Sequence, residues 1–347
     1  MSLVSNKNAK HSAKAAALNK IKSKSQKEIS AEELSARIIG GDKSALSEAI
    51  TLLESTNPNH KKVAADIIQQ CLPHSGNSFR LGITGVPGVG KSTFIESFGN
   101  SLIAKNHKVA VLAIDPSSQK TKGSILGDKT RMQTLISEEN VFIRPSPTSE
   151  SLGGVARATK EAMILCEAAG YDFIIIETVG VGQSETEVHS MVDFFLLLML
   201  SGAGDELQGI KRGIMEMADA LVITKADGDN EKPAKRAMAE YKGAIHLLPP
   251  AEHYFTVKAT ICSAYENSGM DEIYSILEEF QKHTAANGYR DDHRKEQNAQ
   301  WLKRHLRFSL LDLFYGDSKN VDRLKELESK VKSGELSPFK AVELLLS

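Results

Sequence analysis

The amino-acid sequence predicts an α/β fold: a doubly wound, mostly parallel sheet flanked by an N-terminal and a C-terminal helical segment. Two observations carry the prediction. Between Phe79 and about His283, short unbroken runs of aliphatic and β-branched residues alternate with helical stretches. Strands covered on both faces of a parallel sheet read this way, because neither face has to be polar. Gly85-Val86-Pro87-Gly88-Val89-Gly90-Lys91-Ser92-Thr93 then matches G-x-x-x-x-G-K-[ST], directly after the first run and opening a helical stretch. That context makes the sheet the core of a P-loop NTPase domain.

Composition narrows the classes. The chain has 347 residues, 41% of them hydrophobic, enough for about two domains with a sizeable core. Lys and Arg number 43 against 44 Asp and Glu, a net charge of −1, which removes the bulk-charge argument for a nucleic-acid or membrane-surface partner. Cys71, Cys166 and Cys262 are far apart and odd in number, so neither a disulfide framework nor a CxxC metal site is expected. The longest strongly apolar run, Phe194 to Leu200, falls far short of the ~20 residues that a membrane helix needs. A cytoplasmic protein is the expectation.

The elements follow in order. Residues 1–29 carry lysines at positions 7, 10, 14, 20, 22, 24 and 27 ahead of the first acid, Glu28, and read as a solvated, disordered tail. Residues 30–78 read as a helical subdomain. Ser30 and Glu33 fit a capping box before Leu34, Ile38 and Ile39. Leu46, Ile50, Leu52 and Leu53, then Val63, Ile67 and Ile68, repeat at helical spacing, with Asn57-Pro58-Asn59 as punctuation. Residues 79–284 form the nucleotide domain. Its candidate strands are Leu81 to Thr84, Val109 to Ile114, Val141 to Ile143, Phe173 to Ile176, Phe194 to Leu200, Ala220 to Thr224 and Val257 to Cys262. Residues 285–347 read as a helical arm with an apolar stripe through Trp301, Leu302, Leu306, Phe308, Leu310, Leu311 and Leu313.

The phosphate side is the strongest chemical signal. Glycines at this spacing let backbone N–H groups turn toward an anionic phosphate chain, and the following helix adds its N-terminal dipole. The candidates there are Gly85, Gly88, Val89, Gly90, Lys91, Ser92 and Thr93, with Lys91 reaching the β/γ-phosphates and the Ser92 hydroxyl ligating Mg²⁺. Glu177 ends the run Phe173 to Ile176 and opens Glu177-Thr178-Val179-Gly180. It suits a carboxylate that holds Mg²⁺ through water, with the Gly180 N–H positioned to sense the γ-phosphate. Asp115, after Val109 to Ile114, and Asp128, in the stretch Gly123 to Thr130, are further metal-side carboxylates; each reads equally well as a turn or cap residue. The catalytic candidates are Lys91, Glu177, Asp115 and Gln183, and the metal candidates are Ser92, Asp115, Asp128 and Glu177.

The base side rests on Leu221-Val222-Ile223-Thr224-Lys225-Ala226-Asp227. A carboxylate at Asp227 accepts from the ring N–H and the exocyclic amine of guanine together, a pair that adenine lacks, and losing such partners gives large discrimination. The Lys225 stem covers the base face. Ser263-Ala264-Tyr265, after Val257 to Cys262, is the candidate backbone contact for the guanine carbonyl. Thr224 stands where Asn is usual, as it does in signal-recognition GTPases. GTP, with GDP as product, is expected ahead of ATP.

Together these residues resemble the MeaB/ArgK family of SIMIBI-class P-loop GTPases, to which the methylmalonic-aciduria type A protein belongs. Beyond the generic motifs, the likeness is carried by Asp115-Pro116-Ser117-Ser118, Gly123 to Met132, Arg144-Pro145 with Leu152-Gly153-Gly154, Glu177 to Glu185 (ETVGVGQSE), and Gly202 to Lys211 (GAGDELQGIK). It covers roughly Ala31 to the C-terminus. The resemblance implies a G-protein chaperone that binds adenosylcobalamin-dependent methylmalonyl-CoA mutase, or a related acyl-CoA mutase, gates its cofactor loading by GTP hydrolysis and protects it. It also implies a switch region over Pro116 to Asp128, an extra switch loop over Asp205 to Lys211, and a homodimer held by the terminal helices. Ser201 departs from the family, standing where a proline often precedes Gly-Ala-Gly, which implies a looser start to that loop.

Two alternatives stand beside this reading. Family members have been described as ATP- or GTP-dependent kinases linked to amino-acid (LAO/AO) transport, but the sequence carries no separate acceptor-base motif. A signal-recognition role would call for a Met-rich helical domain, which is missing from the sequence. Neither Asp-x-His-x-x-Gly, which ligates cobalamin, nor a Cys/His cluster of the metallochaperone kind occurs; Asp291-x-His293 ends in Glu296. His189 and His246 read as ordinary surface or core residues.

Overall fold

The computed structural model describes residues 30–114, 132–145, 152–178, 184–202 and 212–346. Asp115, Asp128, Gly180, Gln183, the Lys-rich segment 1–29 and the loop 205–211 lie outside the described residues. The chain divides into two compact units, one of residues up to 78 with 161–172, the other of 79–160 with 173 onward.

The first unit is helical: α1 (Ala31–Ile39), α2 (Lys43–Leu53) and α3 (Pro58–Cys71). Ser30 caps α1, its Oγ accepting from the Glu33 N–H at 3.3 Å. The Ser30 hydroxyl itself donates to the Glu32 carboxylate at 2.7 Å. Asp42 caps α2 by accepting from the Ser44 and Ala45 N–H groups, and Asn57 caps α3, whose first residue is Pro58. Leu34, Ile38, Leu46, Ile50 and Ile67 are buried at the predicted helical spacing, whereas Ile39 stays on the surface.

The second unit is built on seven strands: β1 (Phe79–Gly85), β2 (Val109–Ile114), β3 (Val141–Arg144), β4 (Phe173–Thr178), β5 (Phe194–Met199), β6 (Ala220–Ile223) and β7 (Lys258–Ile261). They form one sheet in the order β3-β2-β4-β1-β5-β6-β7, every pair parallel. The chain fills one side of β1 and then the other, so β1 lies at the point where strand order reverses, beside which open α/β sheets place their ligands. Its helices are α4 (Lys91–Ala104), α5 (Gln133–Ile136), α6 (Leu152–Ala168, whose later turns belong to the first unit), α7 (Ser184–His189), α8 (Arg212–Glu216), α9 (Glu231–Ile245), α10 (Met270–Ala286), α11 (Tyr289–Gly316), α12 (Ser318–Lys332) and α13 (Pro338–Leu346).

Alternate residues of the strands enter two apolar layers, which is why the runs show no polar face. Leu81, Ile83, Phe194, Leu196 and Val222 pack with Phe94 and Phe98 of α4 and Phe280 of α10. Leu197, Met199, Leu221 and Ile223 pack with Ala234, Ala237 and Tyr241 of α9.

Helix α11 is seated through polar anchors. Asp193, nearly buried, accepts from Arg294 at both oxygens, 2.7 and 2.5 Å, and from the Arg80 N–H at 2.8 Å. Gln297 donates to the Val192 carbonyl at 2.8 Å, and Arg304 pairs with Glu187. Removing one member of a buried pair of this kind costs about 3–5 kcal/mol, because the other is left charged and dry.

Beneath α11, a cavity of about 290 Å³ is lined by His189, His253 and His293 together with Asp219, Glu216 and Glu252. His253 is held by Asp219 at 2.8 Å. Burial pushes the imidazoles of His189 and His293 below the ordinary value of 6.5, a shift reinforced by the neighbouring histidine and opposed by Asp219 and Glu252. A depressed histidine favours the folded state while neutral, so that stability is present above the unfolded value and is lost as pH falls through it. The melting temperature should therefore fall as pH is lowered below about 6.5 and on through the depressed values of these two histidines. It should drop less in His293→Gln, and equal drops in thermal scans of the two proteins would discount the site.

Candidate nucleotide site

The strand ends converge on the loop between β1 and α4. Gly88 and Gly90 take φ of +81° and +92°, a backbone region that side chains strain, and Gly90 is the residue from which α4 springs. Gly85 is required for a different reason: a Cβ there would lie 2.6 Å from the Leu198 carbonyl of β5, so any larger residue forces β1 off its neighbour.

Three carbonyls of this loop are each bound by a side-chain donor. Lys91 Nζ donates to Gly85 O at 2.8 Å, Lys225 Nζ to Gly88 O at 2.8 Å, and Thr224 Oγ1 to Val89 O at 2.7 Å. Burial pushes the Lys91 ammonium down, while Glu177 and Glu185 push it back up. Glu177, buried at the end of β4, has Oε1 3.5 Å from the Ser92 hydroxyl. One hydroxyl and one carboxylate facing each other beside the loop are hard oxygen donors of the kind that Mg²⁺ takes alongside water and phosphate. Thr178 donates to Thr84 at 2.9 Å and ties the ends of β4 and β1 together. Thr93 points to the surface.

On the base side, β6 ends in an extended turn. Ala226 N–H donates to Cys262 O at 3.0 Å, fixing that turn to the end of β7. Asp227 Oδ2 accepts from the Ser263 hydroxyl at 2.5 Å, and Ser263 Oγ in turn accepts from the Glu266 N–H at 3.1 Å. The side chain of Ser263 is thus engaged with Asp227, a contact that the sequence reading, which gave Ser263 only a backbone role, did not contain. Ser97 of α4 donates to Asn267 at 2.6 Å, binding the following turn to the phosphate-side helix. Ala264 is half-buried, and Tyr265 is 91% exposed. The Cys262 thiol, pushed up to about 12 by burial and by Asp227, is an inert neighbour.

The structure therefore brings together Gly85, Gly88, Val89, Gly90, Lys91, Ser92 and Glu177 on one side, and Thr224, Lys225, Asp227 and Ser263 on the other, with Lys225 and Thr224 joining the two. Sequence reasoning missed Glu185, wholly buried in α7 and acting on Lys91, and Asn230, which contacts the backbone of the base-side turn at Lys225. A buried acid in a helix's first turn reads from sequence as dipole compensation, and an Asn before a helix reads as a cap.

A family profile described as methylmalonyl-CoA mutase-associated GTPase MeaB matches residues 46–319. GTPase ArgK of Escherichia coli is 45% identical over 302 residues, covering 87% of this chain and 91% of that protein. The mitochondrial methylmalonic aciduria type A homolog of Mus musculus is 46% identical over 319 residues, covering 89% of this chain and 77% of that protein. Among solved structures, a LAO/AO transport system kinase superposes with a TM-score of 0.70 at 36% identity, covering 92% of this chain and 97% of that one. With the fold, the phosphate loop and these relatives in agreement, the chain belongs to the MeaB family of P-loop GTPases.

Proposed function

We propose that this GTPase is a G-protein chaperone for an adenosylcobalamin-dependent methylmalonyl-CoA mutase or a related acyl-CoA mutase, gating cofactor loading and protecting the enzyme through a cycle of GTP binding and hydrolysis. The observation that carries the nucleotide half is the junction of a Lys91–Ser92–Glu177 phosphate side with an Asp227–Ser263 base side through Lys225 and Thr224. The partner half is supported by the family description and by the names of the mouse and bacterial relatives.

In this reading the loop N–H groups and the α4 N-terminus take the phosphate chain. Lys91 exchanges its carbonyl partner for β/γ-phosphate oxygens. Ser92 directly, and Glu177 through water, would hold Mg²⁺, which would supply charge neutralisation on those oxygens. Asp115 and Asp128 remain metal-side candidates, and Gln183 a catalytic one. Asp227 reads guanine, with Ser263 fixing its carboxylate. Intrinsic turnover is slow, since switch GTPases without an activator lack part of the transition-state electrostatics.

A homodimer completes the proposal. Leu302, Leu306, Leu310 and Leu313 follow one face of α11 at 3–4 residue spacing and stay 53–72% exposed together with Leu311. A stripe of that kind on a solvated helix is a surface for a second copy of the chain.

Three outcomes test this reading. Lys91→Ala should abolish GTP turnover and weaken GTP binding, because nothing else in the loop carries compensating charge; normal turnover would remove the phosphate-loop assignment. Turnover of the intact protein should rise when a cognate adenosylcobalamin-dependent mutase is added, and an unchanged rate with no co-elution would leave a GTPase without this partner. Phosphorylation of an amino-acid-transport acceptor in the same assay would favour the kinase reading that the solved relative's title suggests. Leu306→Glu with Leu310→Glu should halve the solution mass measured by light scattering, and a monomeric wild type at micromolar concentration would sink the dimer.

A further inference from the structure

Asn230 is the last residue of a short 3-10 turn, Gly228–Asn230, that runs directly into α9, and its backbone is already helical, with φ −86° and ψ −6°. Here the side chain makes no cap bond. It is turned instead toward the base-side turn. Its Nδ2 donates to the Lys225 carbonyl at 2.5 Å, and its Oδ1 accepts from the Ser201 hydroxyl at 2.5 Å. Lys225 is a residue that needs holding, because its φ of +57° is a left-handed conformation that costs a non-glycine residue about 1–2 kcal/mol. The same Lys225 sends its ammonium to the Gly88 carbonyl of the phosphate loop. One amide therefore links the end of β5, the base-side turn and the phosphate loop.

We infer that Asn230 is a positioning residue for guanine recognition, oriented by Ser201, and that it sets the turn from which Asp227 meets the base. The inference rests on the assignment of Asp227 as the base reader. The chemistry selects an amide in particular. The group must donate to a carbonyl on one side and accept from a hydroxyl on the other, which Asn does and Asp cannot. Ser201 gains a role by the same argument. A proline at that position has no hydroxyl to give, so the departure from the family expected to loosen the start of the loop supplies a tether instead.

The test uses the full-length protein and titrations with GTP, ATP and XTP, alongside thermal melting. Asn230→Asp removes no cap bond, since Asn230 makes none, and places an acid at the N-terminal dipole of α9, so its melting temperature should stay close to that of wild type. Its GTP dissociation constant should increase about three- to tenfold, the loss of one hydrogen bond to the Lys225 carbonyl. ATP binding should change less, so the GTP-to-ATP preference shrinks. Ser201→Ala, which removes only a hydroxyl, should move GTP affinity in the same direction by about two- to threefold, and it reports even where Asn230→Asp is destabilised. Asp227→Asn is the reference: it should transfer preference from GTP toward XTP, whose ring carbonyl suits an amide donor. If Asp227→Asn shifts preference while Asn230→Asp and Ser201→Ala both match wild type in GTP affinity and GTP-to-ATP ratio, the positioning role is overturned and the base reading stands. If Asp227→Asn leaves all three nucleotides unchanged, the base reading fails and takes this inference with it.

Discussion

A loop that offers backbone N–H groups to an anion has to dispose of its carbonyls, and this requirement organises the nucleotide site. An unsatisfied carbonyl held out of water costs about as much as a lost hydrogen bond. Here the buried carbonyls of Gly85 and Val89 are met by Lys91, from the loop's own helix, and by Thr224, from the far end of β6, and Lys225 beside it reaches the exposed carbonyl of Gly88. The distant strand must come close enough to supply two of these donors, so β5 and β6 must lie beside β1 in register. The strand order meets that condition, with Gly85 opposite Leu198 and Leu198 opposite Val222.

Thr224 illustrates how the donors are shared. Asn is the commoner residue at this position. The threonine hydroxyl reaches Val89 O at 2.7 Å and lies 3.2 Å from Met199 O, so base side and phosphate side are tied through a shorter group with a single hydrogen to give. On the proposed reading, discrimination of the base falls on Asp227, whose Oδ2 is held by the Ser263 hydroxyl and whose Oδ1 is left to a guanine edge.

Much of this was legible in the sequence, and what was not shares a cause. All seven strands were visible as apolar runs, because a parallel sheet buried on both faces imposes no polar alternation; only the ends moved, β7 closing to Lys258–Ile261 from the expected Val257 to Cys262. The phosphate loop and the Thr224-Lys225-Ala226-Asp227 turn were legible because their chemistry sits in consecutive residues. Contacts between segments were not. Asp193 with Arg294 spans 101 residues and Ser97 with Asn267 spans 170, and nothing in either local pattern names its partner. Asn230 was not legible for the same reason, since its contacts reach Lys225 five residues back and Ser201 twenty-nine residues back. The expected roles of Asp115, Asp128 and Gln183 fall outside the described residues and stand as proposals.

The strand pair at the centre also limits which parts of a nucleotide switch can move. At its lower end β1 is locked to the start of β5, where Asp193 accepts the Arg80 N–H and returns its own N–H to the Arg80 carbonyl at 2.9 Å, with Arg294 of α11 neutralising the carboxylate. At its upper end the close approach of Gly85 to Leu198 O leaves no room for either strand to slide. Packed interiors shift between discrete arrangements and do not stretch, and this pair is held at both ends. On the reading proposed above, the difference between GTP-bound and GDP-bound states is therefore carried by the segments that leave the strand ends, while the sheet and the seat of α11 hold still. A partner that responds to the nucleotide must touch those segments, and a second copy docked on the exposed leucines of α11 would rest on the part of the molecule that the cycle leaves in place.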